Sequence, residues 1–189
     1  PDIVLKIVQI QAGLSRDSVT ATPMQPPEYM AAFQRKAIDG FVSGPPFIQQ
    51  AVVAGTGVVL SDSAKGEPVE YSPQSAGLLL TRGDFCAGHR SICEKMVHGI
   101  VEAAKFLHEH RAESIAVAKK HFGTYSDEVL AQSIDMLTAM TPSPPLTTPQ
   151  MLENGDRINI AAGFLKDSDK LSDYKPLIEG MVARFREDS

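Results

Sequence analysis

Apolar and polar positions alternate along the first third of the chain in a way that switches period repeatedly. In "PDIVLKIVQIQAGL" the residues Ile3, Ile7, Ile10 and Leu14 recur at helical spacing, and Gly13 falls where a helix C-terminus favours a residue tolerant of positive φ. The pattern already reads as helix at its first residue, so a natural start upstream is expected. The β-branched run at 18–24, "SVTATPM", predicts a strand. The prolines opening "PPEYMAAFQRKAI" (26–38) suit a helix's first turn and place Tyr29, Phe33 and Ala37 on one face. Next come a strand "GFVS", a helix over 45–55 and a strand over 57–62. Helix and strand in alternation predict an α/β fold with a parallel sheet and right-handed crossovers.

Residues 63–74 read as a polar loop, and "SAGLLLTRGDF" (75–85) as one more strand. Beyond it the periodicity is helical, with helices expected near 90–110, 112–121, 126–140, 149–162 and 174–186. Ser126 followed by Asp127 and Glu128 makes an N-cap, Thr148-Pro149 another, and Gly123 and Gly163 are stop signals. The composition changes near residue 75, which divides the chain into an incomplete α/β lobe over 1–74 and a hinge-crossing strand with a helical layer over 75–189. Apolar faces such as Val129, Leu130, Ile134 and Leu137, or Ile92, Met96, Ile100 and Phe106, call for a sheet to bury against. That sheet is expected upstream.

Composition narrows the function classes. Hydrophobic residues make up 43% and charged residues 22%, an ordinary globular balance. Lys and Arg total 18 against 23 Asp and Glu, for a net charge of −5. No cationic cluster suited to a phosphate backbone is visible, which argues against nucleic acid as a partner. The longest apolar runs are far short of the ~20 residues needed to cross a bilayer.

The stretch "IDGFVSGPPFIQQAV" (38–52) stops a short extended run and starts a helix through Ser43-Gly44-Pro45-Pro46. In open parallel sheets ligands bind where strands turn into helices, because the first N–H groups of a helix lack internal partners. Gly44 removes a side chain, Ser43 offers a hydroxyl and the prolines fix the turn. Met24-Gln25-Pro26-Pro27 is the equivalent turn before it. The alternative is that both are only tight connections, which Gly and Pro commonly punctuate.

The order "AGLSRDSVTATPM", "YMAAFQRKAIDGFVSGPPFIQQAV" and "SAGLLLTRGDFCAGHRSICEKMVHGIVEAAKFLHEHRAESIAVAKKHFG" is similar to the solute-binding proteins of ABC importers for nitrate, sulfonates, taurine and pyrimidine precursors. The resemblance corresponds to the C-terminal half to two thirds of that family. It implies a fold of the type II periplasmic-binding-protein kind, closing as a clamshell on a small anionic or heteroaromatic solute, without catalysis and without a cofactor. The implied solute contacts are Ser43, Gly44 and Pro45, with Gln25 and Pro26 beside them and Gln74 and Ser75 near the hinge. The implied partners are the solute and the permease subunits of the importer, and the implied location is periplasmic, free or lipid-anchored. Where the family often carries an aromatic-acidic pair before the proline, this chain has Ser43-Gly44, a smaller and less charged rim. Uncovered apolar helix faces imply that the chain self-associates. An enzyme on the same fold, desulfinase-like or a pyrimidine-precursor synthase, and the sensory domain of a regulator are the competing readings.

Other constellations carry less. "CAGHRSIC" sets Cys86, His89 and Cys93 within eight residues. At 1.5 Å per helical residue the two thiols would lie roughly 10 Å apart, which favours a small packed cysteine over a metal site, a nucleophile or a disulfide. In "HEHR" His108 and His110 are two apart on a helix and point in different directions, so a solvated helix end is expected. His98 and His121 stand alone. "TPSPPLTTP" (141–149) reads as a stiff connector, and "KDSDKLSD" (166–173) lacks the Gly and terminal Glu of a calcium loop.

Overall fold

The computed structural model describes residues 2–15, 17–75 and 77–178. Eight α-helices follow one another among these residues: α1 Asp2–Gln11, α2 Tyr29–Gln34, α3 Phe47–Val53, α4 Gly83–Gly88, α5 Arg90–Glu109, α6 Arg111–His121, α7 Asp127–Met140 and α8 Pro149–Ala162. Short 3-10 turns at Pro26–Glu28, Ser63–Lys65, Val69–Tyr71, Asp167–Asp169 and Lys175–Leu177 punctuate the connections.

Helix ends sit where the local chemistry sets them. The Ser126 hydroxyl accepts from the Val129 N–H and the Thr148 hydroxyl from the Met151 N–H, each satisfying a first-turn donor. Gly13 at φ 70° closes α1, with the Gly13 N–H donating to the Ile10 carbonyl and the Leu14 N–H to that of Gln9. Gly163 at φ 82° ends α8 in the same manner. The expected helices at 90–110, 112–121, 126–140 and 149–162 are all present within a residue or so. Of the helix expected at 174–186, the chain makes the turn Lys175–Leu177, and residues 179–186 lie outside the described ones.

The expected parallel sheet is corrected by the structure: among the described residues there is no β-strand. Residues 18–24, 40–43, 57–62 and 77–82 form no ladder, and the end of the strand expected over 75–85 is instead, from Gly83, the helix α4. A helix satisfies its backbone from within; a strand must borrow donors and acceptors from a neighbour, and here none is alongside. The apolar side chains of the last two runs accordingly stay outside, with Val58 84%, Leu60 85% and Leu80 80% exposed.

The core is therefore helix on helix. Ile7 of α1, 1% exposed, packs with Ile158 and Ala162 of α8, with Ile3, Tyr71 and Ala161 around them. Full burial of an aliphatic side chain of this size contributes about 1.5–3 kcal/mol. α7 is the hub of the rest: α3, α5, α6 and the 63–65 turn all lie against it, and Val129, Leu130, Ser133 and Ile134 are its buried positions. Leu137, expected on the same face, is exposed. The outer stripe of α5 (Ile92, Met96, Ile100, Phe106) is also exposed, while Cys93 and Ala104 face inward.

Among the buried polar residues, Asn154 is the one tied most fully into this core. Asn154, 2% exposed, donates from Nδ2 to the Pro73 carbonyl at 2.8 Å and accepts on Oδ1 from Gln150 and Arg157, each at 3.0 Å. Arg157 in turn lies over the Tyr71 ring, 5.7 Å from its centroid. A buried amide with all these partners made is stabilising; with one missing it would be costly.

Candidate functional site

The two proline turns converge on one aromatic row. Tyr29, in the first turn of α2, stacks on Phe41 with centroids 5.3 Å apart and planes 22° apart, and meets Phe47 edge-on at 6.2 Å. Phe33, one helical turn further on α2, meets Phe41 edge-on at 5.6 Å, and Tyr125 meets Phe47 at 6.5 Å. Five of the chain's twelve aromatic residues (eight Phe, four Tyr, no Trp) are thus in one row, each half-buried. Tyr29 follows the Gln25-Pro26 turn, while Phe41 and Phe47 stand on either side of Ser43-Gly44-Pro45. The ring contacts therefore hold both turns beside a common surface.

The backbone at each turn is fixed locally. The Gln25 N–H donates to Glu28 Oε2 at 3.3 Å and the Glu28 N–H returns to the Gln25 carbonyl at 2.9 Å. In the second turn the Phe47 N–H donates to the Gly44 carbonyl, and the Pro45–Pro46 peptide is cis. A Cβ added at Gly44 would meet no heavy atom within 4 Å, so the space over that residue is open. The Gln25 side chain faces the Glu28 backbone N–H in a capping-box arrangement, while the Ser43 hydroxyl has no hydrogen-bond partner among the described residues, which leaves it to solvent or solute. Ser43, Pro26 and Pro45 are half-buried; Gln25 and Gly44 are exposed.

Gln74 and Ser75 belong to a different neighbourhood. Both are half-buried beside Pro73, whose carbonyl is held by Asn154 on α8. They are anchored through α8, and the aromatic row is anchored through α2, α3 and Tyr125.

Beyond the predicted residues, the structure adds an open groove of about 430 Å³ at the Phe33 end of the row, lined by Phe33, Gln34, Lys36, Ile38, Asp39 and Thr56. It also adds Gln49 on α3, a buried residue that donates from Nε2 to the Met136 sulfur at 3.0 Å and whose Oε1 has no partner among the described residues. The row was foreshadowed in sequence by Tyr29 and Phe33 sharing one helical face and by Phe41 and Phe47 bracketing Gly44. Nothing in the spacing singled out Gln49.

The cysteine pair requires a correction. Cys86 and Cys93 form a disulfide, with Cα atoms 5.9 Å apart rather than roughly 10 Å. The chain breaks at His89 (φ −133°, ψ 43°) between α4 and α5, which folds Cys86 back over the first turn of α5. The bond removes both thiols from nucleophilic or metal chemistry. His89 itself stacks on Phe85 at 4.6 Å.

The "HEHR" residues are more engaged than a solvated helix end. His108 Nε2 lies 2.6 Å from the Thr141 carbonyl, and Arg111 makes a bidentate pair with Asp135 of α7 at 2.6 and 2.9 Å. The Arg111 guanidinium, by hydrogen bond and charge, holds the Asp135 carboxyl below the usual carboxylate range, and Arg111 is raised in return. These residues edge a second open groove of about 480 Å³ with Leu107, Thr138 and Pro142. Its charges are already paired with each other. Among the described residues no group of three or more His, Cys, Asp or Glu is placed to hold a metal ion, and no helix is long and apolar enough to cross a membrane.

Compared with known proteins, the chain matches the model of one family, described as the NMT1-like family, over residues 1–121. That span includes the aromatic rings up to Phe47, both proline turns and the disulfide. No curated protein and no solved structure is matched.

Proposed function

The chain belongs to the NMT1-like family, a family of solute binding in ABC transport, and from that membership we propose that it is the solute-binding component of an ABC importer, acting without catalysis. The solute is a small anionic or heteroaromatic molecule of the nitrate, sulfonate, taurine or pyrimidine-precursor class. Gln25, Pro26, Ser43, Gly44 and Pro45 contact it, with Gln74 and Ser75 near the hinge. Solute contacts favour a closed form, which the permease subunits recognise. The location is periplasmic or anchored outside the cytoplasmic membrane, where the Cys86–Cys93 bond would persist.

One observation carries this reading: Tyr29 touches the rings on both sides of the Ser43–Pro46 turn, so that both proline turns, and with them the Ser43 hydroxyl, share one aromatic surface. Within the solute class, that surface favours the planar heteroaromatic members, which can stack on tyrosine and phenylalanine faces.

The test is a thermal-shift panel of nitrate, taurine, an alkanesulfonate and an aminopyrimidine. A binding solute at a hundredfold excess over its Kd should stabilise the chain by about 2.7 kcal/mol with no product formed. Gly44→Val, whose side chain enters open space, should keep the unliganded melting temperature and lose the shift. Steady turnover of a panel member, or an undiminished shift in Gly44→Val, would overturn the proposal.

A further inference from the structure

The groove at the Phe33 end of the aromatic row holds two opposite charges that the fold leaves unused. Lys36 and Asp39, both exposed, line it together with Phe33, Gln34, Ile38 and Thr56. Among the described residues neither side chain has an ion-pair or hydrogen-bond partner, and the two are not paired with each other. The other groove differs in this respect, because there Arg111 and Asp135 are spent on one another. Lys36 also stands at φ 57°, in the left-handed region where glycine is favoured and lysine is uncommon. The same closing turn at the end of α1 is made by Gly13, so the backbone does not call for a lysine. An unusual residue of this kind beside a cavity points to a role for its side chain.

The apolar part of the groove is fixed in advance. The Phe33 ring is held by Phe41, edge-on at 5.6 Å, and by the close backbone at Gly57, where an added Cβ would come within 3.1 Å of the ring. Ile38 is half-buried beside it, and the Thr56 hydroxyl is already given to the Ala51 carbonyl at 3.2 Å. An apolar surface with one free cation and one free anion suits a flat molecule that carries both signs: its ring covers Phe33 and Ile38, its anionic group meets the Lys36 ammonium and its cationic group the Asp39 carboxylate. At about 430 Å³ the groove falls within the roughly 300–1,000 Å³ of small-molecule sites.

We infer that this groove is a second small-molecule site, which takes a flat zwitterion with its anionic group on Lys36 and its cationic group on Asp39. It goes beyond the importer reading and does not depend on it, since none of Gln25, Pro26, Ser43, Gly44 and Pro45 lines the groove. All six lining residues also lie before residue 75, apart from the helix faces for which a sheet upstream is expected.

Titration of the 189-residue chain at neutral pH, followed by NMR, tests this with three probes on one ring system. Trigonelline (N-methylnicotinate) carries both charges, nicotinate only the anion and 1-methylnicotinamide only the cation. Trigonelline should bind one to one with a Kd on the order of 1 mM, and the singly charged probes about fivefold more weakly. Lys36→Gly, a change the backbone favours, should weaken trigonelline and nicotinate about fivefold and leave 1-methylnicotinamide unchanged, while Lys36→Arg should behave like the parent. Asp39→Asn should weaken trigonelline and 1-methylnicotinamide and leave nicotinate unchanged. Gly44→Val should bind trigonelline as the parent does, which separates this site from the proline turns. Melting temperatures identify any variant that misfolds. Trigonelline held no tighter than the singly charged probes, a Lys36→Gly variant that binds it undiminished, or its loss in Gly44→Val would each overturn the proposal.

Discussion

The ring of Tyr29 lies on that of Phe41 at 5.3 Å, and this one contact ties the entry of α2 to the segment leading into the Ser43–Pro46 turn. An aromatic pair of this geometry contributes about 0.5–1.5 kcal/mol beyond the area it buries. Tyr29→Leu is therefore expected to lower the unfolding free energy by about 1 kcal/mol and to weaken solute binding, because both turns lose their common support. Urea titration measures the first effect and solute titration the second. A variant as stable as the parent would mean the row does not tie the turns together.

Lys36 ends α2 in the left-handed region at φ 57°, a place usually given to glycine. Its N–H donates to the Phe33 carbonyl and the Ala37 N–H to that of Ala32, the same closing pair that Gly13 makes at the end of α1. Lys36→Gly removes the Cβ penalty at that dihedral and should stabilise the chain by about 0.5–1 kcal/mol. The urea midpoint should rise with the slope unchanged; a fall would count against the assigned backbone conformation.

The Cys86–Cys93 bond closes a short loop, seven residues in separation, that pins α4 on α5. Opening such a loop restores chain entropy worth about 2 kcal/mol in the unfolded state. Reduction with dithiothreitol should lower stability by that amount and speed tryptic cleavage at the exposed Arg82 and Arg90. The double variant Cys86→Ser, Cys93→Ser should behave like the reduced protein and ignore the reductant. Equal digestion rates in both redox states would show that α4 is held by other contacts.

Tyr174 donates from its phenol to Asp156 Oδ2 at 2.6 Å. Burial first, then the bond to the Asp156 carboxylate and its charge, push the phenol up to about 12 from an ordinary value near 10. A raised folded-state value means the contribution is complete below about pH 10 and is lost as pH rises through about 12, where a second negative charge would face Asp156. Tyr174→Phe should cost about 1 kcal/mol at neutral pH. The gap between parent and variant should stay level up to about pH 10 and close by about pH 12. A gap that persists through that range would remove Tyr174 from the titration.

The candidate site was half legible. Ser43, Gly44 and Gln25 stand out in sequence because Gly and Pro interrupt a chain in recognisable ways, and the turns they predict are there. What joins those turns is a set of ring contacts between residues 8 to 78 positions apart, such as Phe33 with Phe41 and Phe47 with Tyr125. Spacing along one helix encodes which side chains share a face, but not which face meets which. The disulfide was misjudged for a related reason: distance along a helix was assumed, and a single residue, His89, bends the path.

What this sequence determined alone was the set of features closed by bonds within a few residues. The N-caps at Ser126 and Thr148, the glycine ends at Gly13 and Gly163, and the four long helices after residue 90 all depend on donors and acceptors that the segment itself supplies. The extended runs at 57–62 and 77–82 have β-type composition, yet their backbone needs partners from elsewhere in space, and tertiary structure left them unpaired with Leu60 and Leu80 outside. Tertiary structure likewise decided that α1 would close on α8, and that Asn154 would reach the carbonyl of Pro73, 81 residues away. Local hydrogen bonds can be read from neighbours in the chain; burial and pairing depend on what else arrives at the same place.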